Sequence, residues 1–82
     1  MVADDEANIR DFLRILLTGL GHTVVPVESA KAAGELLAQY QFDLLVTDLL
    51  MPDGDGLDLI VQFRQTQPSG SILAISGGGR YI

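Results

Sequence analysis

The chain has no cysteine and no tryptophan among its 82 residues. Without cysteine there is no disulfide framework, no thiolate metal site and no sulfur nucleophile, so any chemistry runs on carboxylate and hydroxyl oxygens. The same absence suits a reducing compartment. Aromatic residues are few, two tyrosines and three phenylalanines, so the core must be built from aliphatic side chains. Bases are scarce as well: five Lys and Arg against 11 Asp and Glu leave a net charge of −6. No run of bases forms the stripe that a phosphate backbone requires, which disfavours direct nucleic-acid binding. No apolar run approaches the roughly 20 residues of a membrane span, and Asp4, Asp5 and Glu6 stand where a signal peptide would be basic and then apolar. We therefore expect a soluble cytoplasmic chain without a membrane partner. An apolar share of 48% with 20% charged residues argues against disorder, and the length allows one small domain. There is no internal repeat or low-complexity tract.

Strand and helix patterns alternate along the chain. Met1-Val2-Ala3 is a short apolar stretch that runs into three acids, as a buried strand does at a polar loop. Ile9, Phe12, Leu13, Leu16, Leu17 and Leu20 fall on one stripe of a helix, and Gly21 supplies a left-handed stop. Thr23 to Val27 is β-branched apart from Pro26, whose missing amide hydrogen predicts an edge strand. Ser29 is a good N-cap for a second helix carrying Ala33, Leu36, Leu37 and Tyr40, with Gly34 as a modest internal cost. Phe42 to Thr47 contains Leu44-Leu45-Val46, the pattern of a central strand covered on both faces, and ends at Asp48. Pro52, Gly54 and Gly56 punctuate a loop, and Leu59, Ile60 and Phe63 give a third helical face ending before Pro68. Ile72 to Ile75 is a fourth strand, followed by Ser76 and three glycines. The alternation predicts an α/β fold with a parallel sheet and helices on both faces.

In such a sheet, ligands bind beyond the carboxyl ends of the strands, and the polar residues here stand at those ends. Asp4 and Asp5 close the first strand, Asp48 the third and Ser76 the fourth. If the first and third strands are neighbours, the acids converge. Carboxylates about 4 Å apart repel by roughly 4 kcal/mol at an effective dielectric near 20, which favours protonation or a bound cation. An oxygen-only ligand set selects a hard ion, and one or two carboxylates with waters suit Mg²⁺ better than the larger Ca²⁺ cage.

Several of these features together carry a resemblance. The acidic pair Asp4-Asp5 follows the first strand, Asp48 is followed by Met51-Pro52 and Asp55-Gly56, and the hydroxyl of Ser76 lies 28 positions after Asp48. In this the chain resembles a response-regulator receiver domain of two-component signalling, over essentially its whole length. The resemblance implies a flavodoxin-like doubly wound parallel sheet of strand order 2-1-3-4. It also implies that Asp48 accepts a phosphoryl group from a phosphohistidine on a sensor histidine kinase or a phosphotransfer protein. Asp5 would bind Mg²⁺ directly and Asp4 through water, with Asp48 and the backbone carbonyl of Leu50 as further ligands. Ser76 would hydrogen-bond a phosphoryl oxygen and draw the Gly77–Gly79 loop inward. Such a domain is a phosphoacceptor switch rather than an enzyme in the ordinary sense.

The departures from the family pattern are as specific. Receiver domains have a fifth strand and fifth helix, with a lysine closing the fifth strand and a switch aromatic upon it, and the sequence lacks all of these. Lys31 opens the second helix and cannot be that lysine. We expect residues 1–82 to be a receiver domain truncated before its fifth strand and clipped at its N-terminus. Ile72 to Ile75 would then present an uncovered edge, inviting a homodimer or strand exchange with another copy.

Other readings of the same residues carry less. Asp53, Asp55 and Gly56 suggest a calcium loop, but Met51 and Gln62 would then fall on positions that require carboxylates. Gly77 to Gly79 with Arg80 resembles a phosphate cradle lacking its lysine. His22, in a turn with no acid or second histidine nearby, reads as a surface residue. A receiver fold retained only for docking or dimerisation is an alternative function. A Mg²⁺-dependent aspartyl phosphohydrolase is another, opposed by Leu50 where a general acid is wanted.

Overall fold

The computed structural model describes residues 1–51 and 54–75 of the chain. Its elements in order are β1 (Val2–Ala3), α1 (Ala7–Gly19), β2 (Pro26–Val27), α2 (Ala30–Leu37), β3 (Leu44–Asp48), β4 (Leu50–Met51), β5 (Gly54–Asp55), α3 (Gly56–Thr66) and β6 (Ser71–Ile75). Four strands form one parallel sheet in the order β2-β1-β3-β6. This is the order expected, β6 being the fourth strand of the sequence reading.

The helix ends follow from local chemistry. Gly21 adopts φ +95° after α1. There its N–H donates to the Thr18 carbonyl at 3.0 Å and the His22 N–H to the Leu17 carbonyl at 3.1 Å, the paired bonds that close a helix on a left-handed residue. At the start of α2, Ser29 Oγ accepts from the Ala32 N–H at 3.1 Å, satisfying an amide that the helix itself leaves without a partner.

Residues paired in register share a face of the sheet, and neighbours along a strand face opposite ways. Ala3, Thr47 and Ala74 therefore point to one side, and Val2, Val46 and Leu73 to the other. The main core lies on the first side, where Ala3, Leu45, Ala33, Leu37, Leu59 and Phe63 pack between the sheet and the α2–α3 layer. Gln62 Nε2 donates to the Gly34 carbonyl at 3.0 Å and ties α2 to α3. The second side belongs to α1, which lies against β1 and β2.

Several local expectations differ from the structure: α2 ends at Leu37, leaving Tyr40 beyond it and exposed, and β3 begins at Leu44 rather than Phe42. The second strand is confined to Pro26–Val27 rather than running from Thr23. Its edge position stands, since β2 pairs only with β1 among the described strands. The loop after Asp48 contains a small antiparallel pair, β4 with β5, in the register Leu50↔Asp55 and Met51↔Gly54. The stripe of α1 divides: Ile9, Leu13 and Leu17 are half-buried, while Phe12, Leu16 and Leu20 are 61%, 47% and 68% exposed. The physical reason is geometric. Positions four apart form one ridge that can meet a sheet, and the neighbouring ridge of Phe12 and Leu16 stays outside that line of contact. On β6, at the other edge of the described sheet, Leu73 is also exposed.

Candidate metal centre

Parallel pairing of β1 with β3 is what brings the acids together. Val2 stands opposite Val46 and Ala3 opposite Thr47, so Asp4, just after β1, and Asp48, the last residue of β3, stand at the same level. The Asp4 N–H donates to the Val27 carbonyl at 3.1 Å, holding that residue at the strand end. One carboxylate oxygen from each of Asp4, Asp5 and Asp48 lies within 4.8 Å of the others. Asp4 and Asp48 are buried, at 4% and 8% exposure, and Asp5 faces solvent.

Each buried acid is held by a backbone amide. The Glu6 N–H donates to Asp4 Oδ1 at 2.8 Å, and the Leu50 N–H donates to Asp48 Oδ1 at 3.0 Å. Arg10 reaches back from the first turn of α1, its Nη1 donating to the Asp4 carbonyl at 2.8 Å. Burial pushes the Asp4 carboxyl above its ordinary range; the Glu6 amide opposes that shift, and the charges of Asp48, Asp5 and Glu6 add to it.

The floor of the site is backbone. The Leu49 N–H donates to the Ile75 carbonyl at 2.9 Å, extending the β3–β6 ladder past Asp48, and the Gly56 N–H donates to the Leu49 carbonyl at 3.2 Å. A Cβ on Gly56 would stand 2.7 Å from Leu49 Cα and against the Asp48 carbonyl oxygen. A side chain there would push α3 off the strand end that carries Asp48.

The donor set fits a hard divalent cation: three carboxylates, no nitrogen or sulfur ligand, and repulsion among the acids that a cation would relieve. Of the residues singled out from the sequence, Asp4, Asp5 and Asp48 converge. Leu50 lies beside them through its backbone, with its side chain 71% exposed. Ser76 and Gly77 to Gly79 lie outside the described residues, as do Pro52 and Asp53. His22 is exposed and borders a groove of about 620 Å³ that includes Met1, Asp43 and Leu44, at the opposite end of the strands.

The sequence reading missed two residues around this framework. Arg10 left no periodic or motif signal, because its role is a bond to a backbone carbonyl. Gln67, 3% exposed, accepts from the Phe42 N–H at 2.9 Å and donates to the Tyr40 carbonyl at 2.9 Å. It thereby anchors the approach to β3 on the end of α3. A glutamine just before Pro68 looks like any polar residue at a helix end.

Comparison with known proteins adds an independent finding. Residues 1–81 match the family model described as response regulator receiver domain. Over 79 residues the chain is 38% identical to the response regulator protein PilR of Pseudomonas aeruginosa, an alignment that covers 96% of this chain and 18% of PilR. Among solved structures, a response regulator protein from Burkholderia pseudomallei with a phosphorylated aspartic acid, calcium ion and citrate gives a TM-score of 0.87 at 28% identity, over 93% of this chain and 45% of that one. TrrA from Thermotoga maritima, in complex with Mg²⁺ and beryllofluoride, gives 0.85 at 27% identity, over 95% of this chain and 68% of that one.

Proposed function

This chain belongs to the response regulator receiver domain family, whose members are phosphoacceptor switches of two-component signalling, and from that premise we propose that Asp48 is the residue that takes the phosphoryl group. The reading rests on one observation above the others: carboxylates from the ends of two adjacent parallel strands lie within 4.8 Å of one another. The donor is a phosphohistidine on a sensor histidine kinase or a phosphotransfer protein. A carboxylate oxygen of Asp48 attacks phosphorus in line, the nitrogen–phosphorus bond breaks, and the histidine keeps the electron pair. The Leu50 amide holds Oδ1 and so fixes the orientation of the carboxylate that attacks.

Mg²⁺, when bound, neutralises the negative charge that spreads over the transferring group. Asp5 would hold it directly and Asp4 through water, with Asp48 and the Leu50 carbonyl as the further protein ligands. In the related structures the metal is Mg²⁺ for the Thermotoga protein and calcium for the Burkholderia protein. We favour Mg²⁺ here because it keeps several waters and needs only one or two carboxylates from the protein, where Ca²⁺ takes more oxygen ligands. Ser76 takes a new phosphoryl oxygen as a hydrogen-bond donor, and the phosphoryl group biases an output surface between two arrangements.

Among the described residues no helix is long and apolar enough to cross a membrane, and we place the reaction in the cytoplasm. The chain spans 18% of the length of PilR. A second copy pairing along β6, where Leu73 is 57% exposed, is the further partner this reading offers. The deciding experiment treats the full-length protein with Mg²⁺ and a small acyl phosphate and follows intact mass. The wild type gains one phosphoryl group and Asp48→Asn gains none; equal labelling of the two would sink the assignment.

A further inference from the structure

The three clustered carboxylates are not held alike. Asp4 is fixed by the Glu6 amide and Asp48 by the Leu50 amide. The exposed carboxylate of Asp5 accepts no hydrogen bond from the described residues. Its direction is set one step earlier, by the peptide that joins Asp4 to Asp5. That peptide is planar, so whatever grips its carbonyl oxygen fixes where the Asp5 Cα sits, and so the base from which its carboxylate reaches the cluster. The Arg10 guanidinium makes that grip, Nη1 donating to the Asp4 carbonyl at 2.8 Å.

We propose that Arg10 is a positioning residue for the cation site, acting through the Asp4–Asp5 peptide to hold the Asp5 carboxylate in a geometry that suits Mg²⁺. The proposal rests on reading the acid cluster as a divalent-cation site. Helix geometry explains the reach, since side chains tilt toward the helix N-terminus and that of Arg10 extends over the loop preceding α1. A bland alternative is that Arg10 merely stabilises its helix. The macrodipole argues against it, because a cation in the first turn sits at the unfavourable end. The α1 N-cap, Glu6, makes no side-chain capping bond either. What Arg10 gains in return is its bond to the loop before the helix, at the Asp4 carbonyl.

The two candidate cations supply a sharp readout. Mg²⁺ demands near-ideal octahedral geometry and tolerates a displaced ligand poorly, whereas Ca²⁺ accepts irregular, flexible oxygen sets. Loosening Asp5 without removing it must therefore weaken Mg²⁺ more than Ca²⁺. The experiment is calorimetric titration of the full-length protein, wild type, Arg10→Met and Arg10→Lys, with Mg²⁺ and separately with Ca²⁺. Thermal unfolding of the metal-free proteins serves as a check on folding. Arg10→Met is expected to weaken Mg²⁺ by about tenfold, as loss of an outer-shell partner commonly does, and Ca²⁺ by clearly less. Arg10→Lys, which keeps a cationic donor, recovers part of the Mg²⁺ affinity even if Arg10→Met folds poorly. Equal losses for both ions, or unchanged Mg²⁺ affinity in both variants, overturn the role of Arg10 while leaving the metal site intact. A wild type that binds neither ion overturns the cation reading itself.

Discussion

Asp4→Asn should make the metal-free protein more stable and at the same time blunt its response to Mg²⁺. Asn keeps the acceptor oxygen for the Glu6 amide, which donates to Asp4 Oδ1 at 2.8 Å, so the exchange removes a charge and little else. The magnitude follows from the separation. At 4.8 Å, the outer limit of separation in the cluster, two carboxylates repel by about 3.5 kcal/mol at an effective dielectric of 20 and about 0.9 kcal/mol in bulk water. Asp4 and Asp48 are both buried, so their pair lies between these limits. Even the lower one corresponds to a rise of roughly 4–8 °C in Tm for a domain of this size.

The pH dependence has a definite sign. Burial, with the neighbouring charges, raises the Asp4 carboxyl above its value of 3.8 in the unfolded chain. This group's contribution is therefore fully present below pH 3.8 and is lost as pH climbs through the raised value. At neutral pH the wild type carries that penalty and Asp4→Asn does not. Saturating Mg²⁺ narrows that gap, because ligand at 100 times its Kd adds about 2.7 kcal/mol to the wild type and less to a variant that binds it more weakly. The assay is thermal unfolding at pH 7 in a chelator and then in Mg²⁺. A variant less stable than wild type in chelator, or one with an undiminished Mg²⁺ shift, would refute the account of the acids as a repelling, cation-ready cluster.

Other perturbations test the frame around the acids. Gly56→Ala places a methyl group against the Asp48 and Leu49 backbone. It should cost about 1–3 kcal/mol by overpacking and weaken Mg²⁺ binding, read by chemical denaturation and calorimetric titration; unchanged stability would show that the α3 start can move freely. Gln67→Leu strips the partners from the Phe42 amide and the Tyr40 carbonyl. Each group left unsatisfied costs about 1–3 kcal/mol, to be measured as a fall in the urea midpoint, while the acid cluster at the far end of β3 should keep its Mg²⁺ affinity.

Much of this molecule was legible in its residue order, for reasons that are local. Ser29 caps α2, Gly21 stops α1 and Pro26 sits on an edge strand because each role depends on the residue's own covalent chemistry. Asp4, Asp5 and Asp48 could be picked out because parallel α/β sheets gather ligands at strand ends. Local pattern did not reveal the β4–β5 pair, whose strands are two residues each. It also did not reveal which half of the α1 stripe would be covered, since Leu13 and Phe12 are equally apolar and only the placement of the sheet distinguishes them.

What the sequence determined by itself was the inventory and its alternation: carboxylates without competing thiols, apolar runs at strand and helix periods, and turns where glycine or proline forces them. Only the tertiary structure decided that β1 lies beside β3 in register. Pairing distant segments is a matter of chain closure and packing, and it alone converts acids 44 positions apart into oxygens within 4.8 Å. The folded chain also placed Arg10 on a backbone carbonyl six residues back and Gly56 against the Asp48 backbone, contacts that no residue type announces, because the atoms they meet belong to the main chain that every residue shares.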